Sequence, residues 1–249
     1  ELAFNDPANF AKDPLATQWN LVPVPGNPPV RFCFSPHVFW ELSLKPVGAA
    51  IDQATSSVFF AIAFLYQTTT GAIRSAIDRL MIRTIFSYGI SDKVSSLEVT
   101  KPDGSIGIVD FEYLSKHAPE PFKTEWSGGA EIHQRDKFVV TDFNLPTAKV
   151  FTGSSNLSSS GEEGNGDNLV MIEDSGVATA YAIDALRLFD HLQFRTLMQE
   201  HLPAGTAVPA ASDALRLKKP TAISGKPAWF ERFYVPGSQI ENDRKLFSH

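Results

Sequence analysis

The sequence predicts an α/β fold, a layered α-β-α sandwich with a mixed central sheet and helices on both of its faces. Over residues 30–90, short β-rich apolar runs alternate with amphipathic runs of helical periodicity, which is the pattern of strands joined by helices. Two apolar runs separated by a short turn follow at 137–156 and indicate a hairpin. At 177–201 apolar residues recur every three or four positions, so a long helix is predicted to cover one face of the sheet.

The predicted elements divide the chain into three parts. Residues 1–29 are rich in Pro, Asn and Asp and are predicted to form an extended arm or linker. Residues 30–202 form the lobe, and residues 203–249 form a loop followed by an aromatic tail that packs back on the lobe. Within the lobe, residues 91–130 carry loop and turn signals. The remaining segments are predicted as strands at 30–34, 57–65, 82–90, 137–143, 148–156 and 168–174, and as helices at 39–54, 71–81 and 177–201.

Length and composition restrict the class of protein. The 249 residues are 43% hydrophobic and 20% charged, which argues against a disordered chain and leaves room for one large or two small domains. The net charge of −6 gives no general attraction for nucleic acid or an anionic membrane. The single cysteine, Cys33, excludes an intrachain disulfide and is predicted to be a buried thiol. No apolar run has the length of a transmembrane helix and no signal-like start is seen, so we expect a soluble chain and predict no compartment.

The predicted hairpin carries the residues with the clearest chemistry. Lys137 begins its first strand, and Gly153, Ser154 and Asn156 end its second. If the strands are antiparallel neighbours, an ammonium, a hydroxyl and a carboxamide meet at one end of the sheet, where α/β proteins commonly bind ligands. These donors suit an oxyanion such as phosphate, and a glycine lets the backbone approach closely. A turn with a surface lysine explains the same residues equally well.

The spacing of these residues resembles that of the phospholipase D superfamily, whose mark is His-x-Lys, four residues, Asp, and then Gly-Ser-x-Asn. Lys137 and Asp142 have that separation in KFVVTD, and GSSN occupies 153–156. The segment NGDNLVMI, which contains Asp167, is similar to the Asn-x-Glu or Asn-x-Asp segment that follows in many members. The resemblance spans residues 30–249 and is to a second, C-terminal lobe of such proteins.

This resemblance implies a covalent mechanism shared between two lobes. Each lobe supplies one motif; one histidine attacks phosphorus to form a phosphohistidine, and the other protonates the leaving oxygen and then activates water. Lys137, Ser154 and Asn156 are then expected to hold the phosphate oxygens. Asp142 belongs to the motif, although a turn-forming role after its strand is an equal alternative, and Asp167 is expected to orient a histidine. The resemblance implies no metal or other cofactor.

A second motif has to come from elsewhere, because the sequence contains no His-x-Lys. Either a first lobe belongs to the same original chain, or two copies pair as a homodimer. The start at Glu1 rather than Met, together with the tail, which resembles the C-terminal end of superfamily members, favours a missing or separate first lobe. The implied substrate is a phosphodiester, and the acidic composition favours a phospholipid over nucleic acid.

Arg135 stands where the motif histidine is expected, two residues before Lys137. In one interpretation it replaces the histidine, and this half supplies neither nucleophile nor acid, because a guanidinium stays protonated; it can still grip phosphate. In a second, His133, roughly 6 to 7 Å away along a strand, swings into place through a bulge. In a third, the arginine is an engineered or unusual change in an otherwise active protein.

These alternatives give three predicted functions. The favoured one is a phospholipase D-like phosphodiester hydrolase. The second is a catalytically silent phosphate-binding or scaffold domain that keeps Arg135, Lys137, Ser154 and Asn156 for an anionic ligand. The third is a nuclease of the same superfamily. The aromatic tail around Trp229 is the feature expected to meet a lipid interface.

Other polar residues are assigned structural roles. His37 is predicted to be a loop histidine, with lining of the pocket as the alternative, and His191 to pack on the long helix. Glu162 and Glu163 are predicted to be solvent-exposed in a flexible acidic loop. The six histidines show no metal-binding spacing.

Overall fold

An eight-stranded sheet with helices on both sides organises the described part of the chain. The structure, a computed structural model, describes residues 5–23, 25–94, 97–111, 136–200, 225 and 227–248, with backbone alone for 189–200. The strands are β1 (Asn20–Val22), β2 (Val30–Phe34), β3 (Ser57–Ala61), β4 (Phe86–Ser91), β5 (Ile108–Asp110), β6 (Phe138–Thr141), β7 (Lys149–Gly153) and β8 (Asn168–Ile172). The α-helices are α1 (Pro7–Phe10), α2 (Pro14–Thr17), α3 (Glu41–Gln53), α4 (Ala72–Met81), α5 (Ser159–Gly164), α6 (Ser175–Glu200) and α7 (Gln239–Leu246).

The sheet is mixed, as predicted. Its strand order is β1-β2-β8-β7-β6-β3-β4-β5. The pairs β3–β4 and β4–β5 are parallel, because a helical or loop connection separates their strands, and all other pairs are antiparallel. β6 and β7 form the predicted hairpin, with Phe138 opposite Thr152 and Thr141 opposite Lys149.

Two apolar layers lie on opposite faces of the sheet. Side chains alternate along β3, so Val58 and Phe60 pack toward α3 and α4, whereas Phe59 packs toward α6. Ala178 and Ala182 of α6 are buried against the second face. Small alanines at this spacing let the helix approach the sheet closely. The predicted α-β-α sandwich is therefore confirmed.

Helical periodicity places the apolar residues of α3 and α4 on the sheet side. In α4 the buried residues follow the spacing of one helix face, namely Ile73, Ala76, Ile77, Leu80 and Met81. Its exposed side carries Arg74 and Asp78, paired four residues apart at 2.8 Å. The helix was predicted over 71–81 and forms over Ala72–Met81.

Some segments differ from the sequence prediction. The segment expected to be an extended arm contains α1, α2 and β1, and β1 pairs with β2 along the sheet edge. Trp19 packs edge-to-face on Phe151 and donates to the Leu42 carbonyl at 3.0 Å, so an aromatic anchor holds this segment on the lobe. Strand β5, three residues long, lies in the region predicted as loop. Cys33 is fully buried, as predicted.

Candidate active site

Several strand ends and loops meet at one end of the sheet. β6 begins there, where Phe138 pairs with Ala61 at the end of β3 and with Thr152 near the end of β7. The end of β2 and the start of β8 lie at the same place, with Phe34 opposite Asn168. We call this the site end of the sheet, and we call the opposite end, where β6 finishes and β7 begins, the distal end.

A tight turn follows β7 at the site end. Gly153 has φ 146°, and a side chain there would place its Cβ 2.3 Å from the Asn168 carbonyl oxygen, so only glycine fits. The same carbonyl accepts the amides of Ser154 at 3.1 Å and Ser155 at 3.2 Å. Leu157, 3% exposed, anchors the end of the turn in the core. The Gly-Ser-x-Asn stretch is thus a turn fastened to β8.

Ser154 and Asp167 form a hydrogen-bonded pair beside this turn. Ser154 Oγ donates to Asp167 Oδ1 at 2.8 Å and accepts the Asn168 amide at 3.0 Å. The Asp167 amide donates to Ser35 Oγ at 2.9 Å, and its carbonyl accepts the Ser35 amide at 2.9 Å. The structure therefore brings two of the predicted site residues together, with the hydroxyl proton of Ser154 directed to the carboxylate.

Asn156 lies on the wall of a cleft of about 490 Å³ at the site end. Its Oδ1 is buried and has no hydrogen-bond partner among the described residues. An unpaired buried carbonyl oxygen is unfavourable, so a ligand group that donates a hydrogen bond to Oδ1 would be favoured at this wall. The other described lining residues carry no charged side chain; they are Phe64, Gln67, Thr68, Thr69, Thr70, Ser158, Ser159, Ser160, Gly161 and Asn165.

Lys137 immediately precedes β6 at the same end. Its carbonyl accepts Thr152 Oγ1 at 3.1 Å. Within β6, Val139 packs toward α3 and α4 while Phe138 packs toward α6, so strand alternation places Lys137 on the α3/α4 face. Helix α5, which carries part of the cleft wall, contacts α3 on that face. The fold thus brings Lys137 and Asn156 to one face at one end of the sheet.

Asp142 lies at the distal end instead. Its Oδ1 accepts the amides of Thr55 at 2.8 Å and Ser56 at 2.7 Å, and its Oδ2 accepts the Thr147 hydroxyl at 3.2 Å. The residue is 4% exposed and has φ 51°, a backbone conformation that Asp tolerates better than most residues. Because the four residues of β6 separate it from Lys137, the structure does not bring it to the cleft. This placement agrees with the turn-forming alternative.

Glu162 is a residue that the sequence interpretation missed. It is 2% exposed, whereas its neighbour Glu163 is exposed, so the predicted exposure is wrong for the first and right for the second. Its carboxylate accepts the hydroxyls of Ser43 and Ser155 and lies 3.3 Å from His37 Nε2. Burial alone would raise the pKa of Glu162, but the hydrogen bonds from His37, Ser155 and Ser43 together hold that pKa below its usual value.

The sequence does hold a signal for this inward-facing carboxylate. Ser158 caps α5 by accepting the Gly161 amide at 3.2 Å, and serine is a preferred first residue before a helix. Once the acidic segment is a helix rather than a loop, consecutive residues point to different sides. Glu162 then turns toward α3 while Glu163 stays outside.

The two residues on which the predicted catalysis depends lie beyond the described ranges. His133 and Arg135 fall within 112–135, so their assignment stays a prediction from the sequence. The same holds for the side chain of His191. His37, in contrast, lies in the loop between β2 and α3, as predicted, but it is 3% exposed, and its Nε2 lies 3.3 Å from Glu162.

The described residues place two further limits on the site. Within the described ranges, no three His, Cys, Asp or Glu side chains are grouped as a metal ion would need. None of the helices searched over the same ranges is long and apolar enough to cross a membrane. In the tail, Trp229 and Tyr234 are 47% and 59% exposed, while Phe247 contacts Phe86 at a ring-centroid distance of 4.9 Å.

Comparison with known proteins finds similarity in solved structures. No protein-family model and no curated protein matches the chain. A phospholipase D family member, Nuc from Salmonella typhimurium, is 20% identical with a TM-score of 0.39, and the match covers 68% of this chain and 95% of Nuc. NucT from Helicobacter pylori is 19% identical with a TM-score of 0.41, over 65% of this chain and 95% of NucT.

A third similar structure is TrmBL2, described as an archaeal chromatin protein with a novel mode of DNA binding. It is 10% identical with a TM-score of 0.36, and the match covers 65% of this chain and 51% of TrmBL2. At these identities and TM-scores, activity and substrate have to be inferred from the chain's own residues.

Proposed function

We propose that this chain is one half of a phospholipase D-type phosphodiester hydrolase. The observation that supports the proposal is that Lys137, the Gly153–Asn156 turn and Asp167 lie at the site end, where Asn156 lines a cleft. The Lys137 ammonium and the Nδ2 amide of Asn156 are the donors proposed to bind a phosphate diester. Donors fixed on the fold favour electrostatic stabilisation of a transferring phosphoryl group.

In the reaction proposed for the complete site, which needs a histidine in place of Arg135 in this half, one motif histidine attacks phosphorus and displaces the first alcohol as a covalent phosphohistidine forms. A second histidine donates the proton that this alcohol takes up, and then removes a proton from the water that releases the phosphate. Lys137 and Asn156 hold the non-bridging oxygens. Asp167, fixed by Ser154, orients a histidine by accepting its ring N–H.

The proposal requires a second motif from another lobe or from a second copy of this chain. Arg135 at the motif position cannot attack phosphorus or shuttle a proton, because its guanidinium stays protonated. Its charge still favours an anionic ligand. A catalytically silent phosphate-binding domain is therefore the second candidate function, and Arg135 is the feature that favours it.

A phospholipid is favoured over nucleic acid as the substrate. The chain carries a net charge of −6, and no charged side chain occurs among the described residues that line the cleft. Proteins that bind nucleic acid without sequence preference rely on many cationic phosphate contacts. The exposed Trp229 and Tyr234 of the tail offer the amphipathic rings that lipid interfaces accept.

Hydrolysis of a chromogenic phosphodiester tests the proposal. We expect the chain with Arg135 to be inactive and Arg135→His to be active once a second motif is present, supplied by a homodimer or by an added first lobe. Arg135→Gln is the matched control, because it removes the guanidinium without adding an imidazole. If the chain with Arg135 is already active and His133→Ala abolishes that activity, His133 is the catalytic histidine. That result would contradict the view that Arg135 replaces it.

Binding separates the two candidate functions. A phosphodiesterase half and a silent domain both bind dimethyl phosphate, but only the first gains turnover from Arg135→His with a partner lobe present. Absence of dimethyl phosphate binding in the chain with Arg135, measured by titration calorimetry and NMR, would contradict both. A steep salt dependence of affinity for single-stranded DNA, against none for lipid vesicles, would favour the nuclease alternative.

A further inference from the structure

A buried ionic cluster lies directly behind the Gly-Ser-x-Asn turn. His37 and Glu162 are 3% and 2% exposed, and the two hydroxyls that donate to Glu162 belong to Ser43, 0% exposed, and Ser155, 1% exposed. Ser155 is the variable residue of the turn, adjacent to Asn156. A buried carboxylate is tolerated when it is hydrogen-bonded and paired with a cation. This one accepts two hydroxyl hydrogen bonds, and His37 Nε2 lies 3.3 Å from it, at ion-pair distance.

The contacts of His37 fix its protonation. Nδ1 lies 2.6 Å from the Ala16 carbonyl oxygen, which can only accept, so Nδ1 carries a proton. Nε2 lies 3.3 Å from Glu162 Oε2, at ion-pair distance but without the alignment of a hydrogen bond. A neutral ring with its proton on Nδ1 would bring the Nε2 lone pair close to a carboxylate oxygen, which is repulsive. A proton on Nε2 removes this repulsion and makes the contact an imidazolium–carboxylate ion pair.

The cluster joins four parts of the chain to the turn. Ala16 belongs to α2 in the N-terminal segment, His37 follows β2, Ser43 lies on α3, and Glu162 lies on α5. Ser155 Oγ connects the cluster to the turn, since it donates to Glu162 and accepts the Leu157 amide at 2.9 Å. Asn156 lies between Ser155 and Leu157 in the chain, so the orientation of Asn156 depends on the Glu162 carboxylate.

We propose that His37 and Glu162 form a buried imidazolium–carboxylate pair that positions Asn156 for the phosphate, with the N-terminal segment as its outer support. This role rests on the proposed function, because it assigns Asn156 to the phosphate. Neither residue touches the substrate. Both act through Ser155, which makes them positioning residues.

Other titratable groups near the pair do not compete with it. The Cys33 thiol of β2 interacts with Glu162, but burial, together with the charge of Glu162, raises the pKa of Cys33 to about 12, so the thiol stays neutral. On the neighbouring elements, Asp13 accepts the Leu15 amide at 2.9 Å, and Glu163 accepts the Trp40 amide at 3.4 Å. Glu41 opens α3, where an acidic side chain is favoured by the helix dipole.

Nitrogen NMR of the full chain tests the protonation directly. In ¹⁵N-histidine-labelled protein, with His37→Gln used to assign the signal, we expect both ring nitrogens of His37 to carry protons at pH 7. We also expect the side-chain amide signals of Asn156 to move in Glu162→Gln and to stay in place in Glu163→Gln, the exposed neighbour. A His37 ring with a single N–H and an acceptor Nε2 beside an ionised Glu162, or an unmoved Asn156, would overturn the inference.

Affinity for dimethyl phosphate tests the positioning role. We expect about a tenfold loss in Glu162→Gln, because displacement of a binding group by a fraction of an ångström is costly, and no loss in Glu163→Gln. Ser155→Ala keeps the ion pair and removes only the link to the turn, so it is the variant to use if Glu162→Gln fails to fold. A folded Ser155→Ala protein with unchanged affinity and unchanged Asn156 signals would contradict the inference. If the unmodified chain binds no dimethyl phosphate, the proposed function fails, while the NMR arm still decides whether the pair exists and orients Asn156.

Discussion

The two ends of β6 carry charged residues with different environments. At the site end, Lys137 is half-buried on the face where the cleft opens. At the distal end, Asp142 is 4% exposed, and its two oxygens accept bonds from Thr55, Ser56 and Thr147. Four residues of one strand separate them. The Lys-x4-Asp spacing is therefore the length of a buried strand, with a lysine at the site end and a carboxylate that binds the loop before β3 at the distal end.

This contrast predicts different effects for substitutions at the two ends of β6. Asp142 caps the loop before β3 and so fixes the register of the central strands. Lys137 depends on that register for its position beside the turn. A change at the distal end should lower stability, and a change at the site end should lower ligand affinity.

Asp142→Ala is the largest expected change in stability. It removes the acceptor of two close backbone amides and leaves a non-glycine residue at φ 51° without its stabilising side chain. We expect the free energy of unfolding to fall by about 3 kcal/mol, because hydrogen bonds to buried charged groups are strong and their loss leaves buried N–H donors without an acceptor. Urea denaturation followed by circular dichroism measures this. A loss of phosphodiester affinity in the folded protein, with stability unchanged, would reverse the assignment.

Lys137→Met is expected to act on binding alone. Loss of the ammonium should weaken dimethyl phosphate binding by about tenfold or more, because charge-assisted contacts are the strong ones. Lys149→Met is the matched control, since Lys149 lies at the distal end of the same hairpin and pairs with Glu173 at 2.9 Å. Calorimetric titration of both variants measures the effect. Equal losses in the two would mean that general charge, rather than position, determines affinity.

Thr147→Val sharpens the distal-end interpretation with a smaller change. The hydroxyl that donates to Asp142 Oδ2 at 3.2 Å is removed while the shape of the side chain is kept. We expect a loss of about 1 kcal/mol in the free energy of unfolding, the usual net value of one hydrogen bond. Dimethyl phosphate affinity should be unchanged, and a reduced affinity would indicate that the two ends are coupled through β6.

The smallest expected effect is that of pH on stability close to neutrality. The pH and salt dependence of unfolding distinguishes the contribution of Glu162 from that of Glu173. The pKa of Glu162 is lowered in the folded protein, so its contribution to stability is present above its usual value of 4.5 and is lost as the pH falls through the lower folded value. The pKa of Glu173 is lowered mainly by its hydrogen bond with Lys149. Because Glu173 is more exposed, added salt should weaken its contribution and leave that of Glu162 almost intact.

Denaturation at about pH 6 and about pH 3.5, in low and high salt, measures these two contributions. Glu162→Gln should be less stable at the higher pH and should show a flatter pH dependence than the unmodified chain. Glu173→Gln should reduce the salt dependence instead. Identical slopes for Glu162→Gln and the unmodified chain would show that Glu162 does not titrate with folding.

The fold could be predicted because it rests on local patterns. Apolar periodicity located the strands and helices around the hairpin. The spacing of Lys137 and the Gly153–Asn156 turn predicted that these residues lie at one end of the sheet, and their phosphate-binding role stays a prediction. Glu162 could not be found this way, because its burial depends on Ser43 and His37, more than a hundred residues earlier in the sequence. For Asp142, the spacing predicted the strand, but it did not predict that the residue lies at the distal end, away from the cleft.

The paired N-terminal segment has a consequence for how this protein meets other proteins. Strand β2 carries VRFCF, and β1 occupies the hydrogen-bonding edge that β2 would otherwise offer to another chain. An uncovered edge of that composition is a template for intermolecular strand pairing. The N-terminal segment, which contacts His37 in the proposed ion pair, therefore also covers this edge of the sheet. Removal of the segment would expose β2 to strand pairing with other chains, although every residue at the site end would still be present.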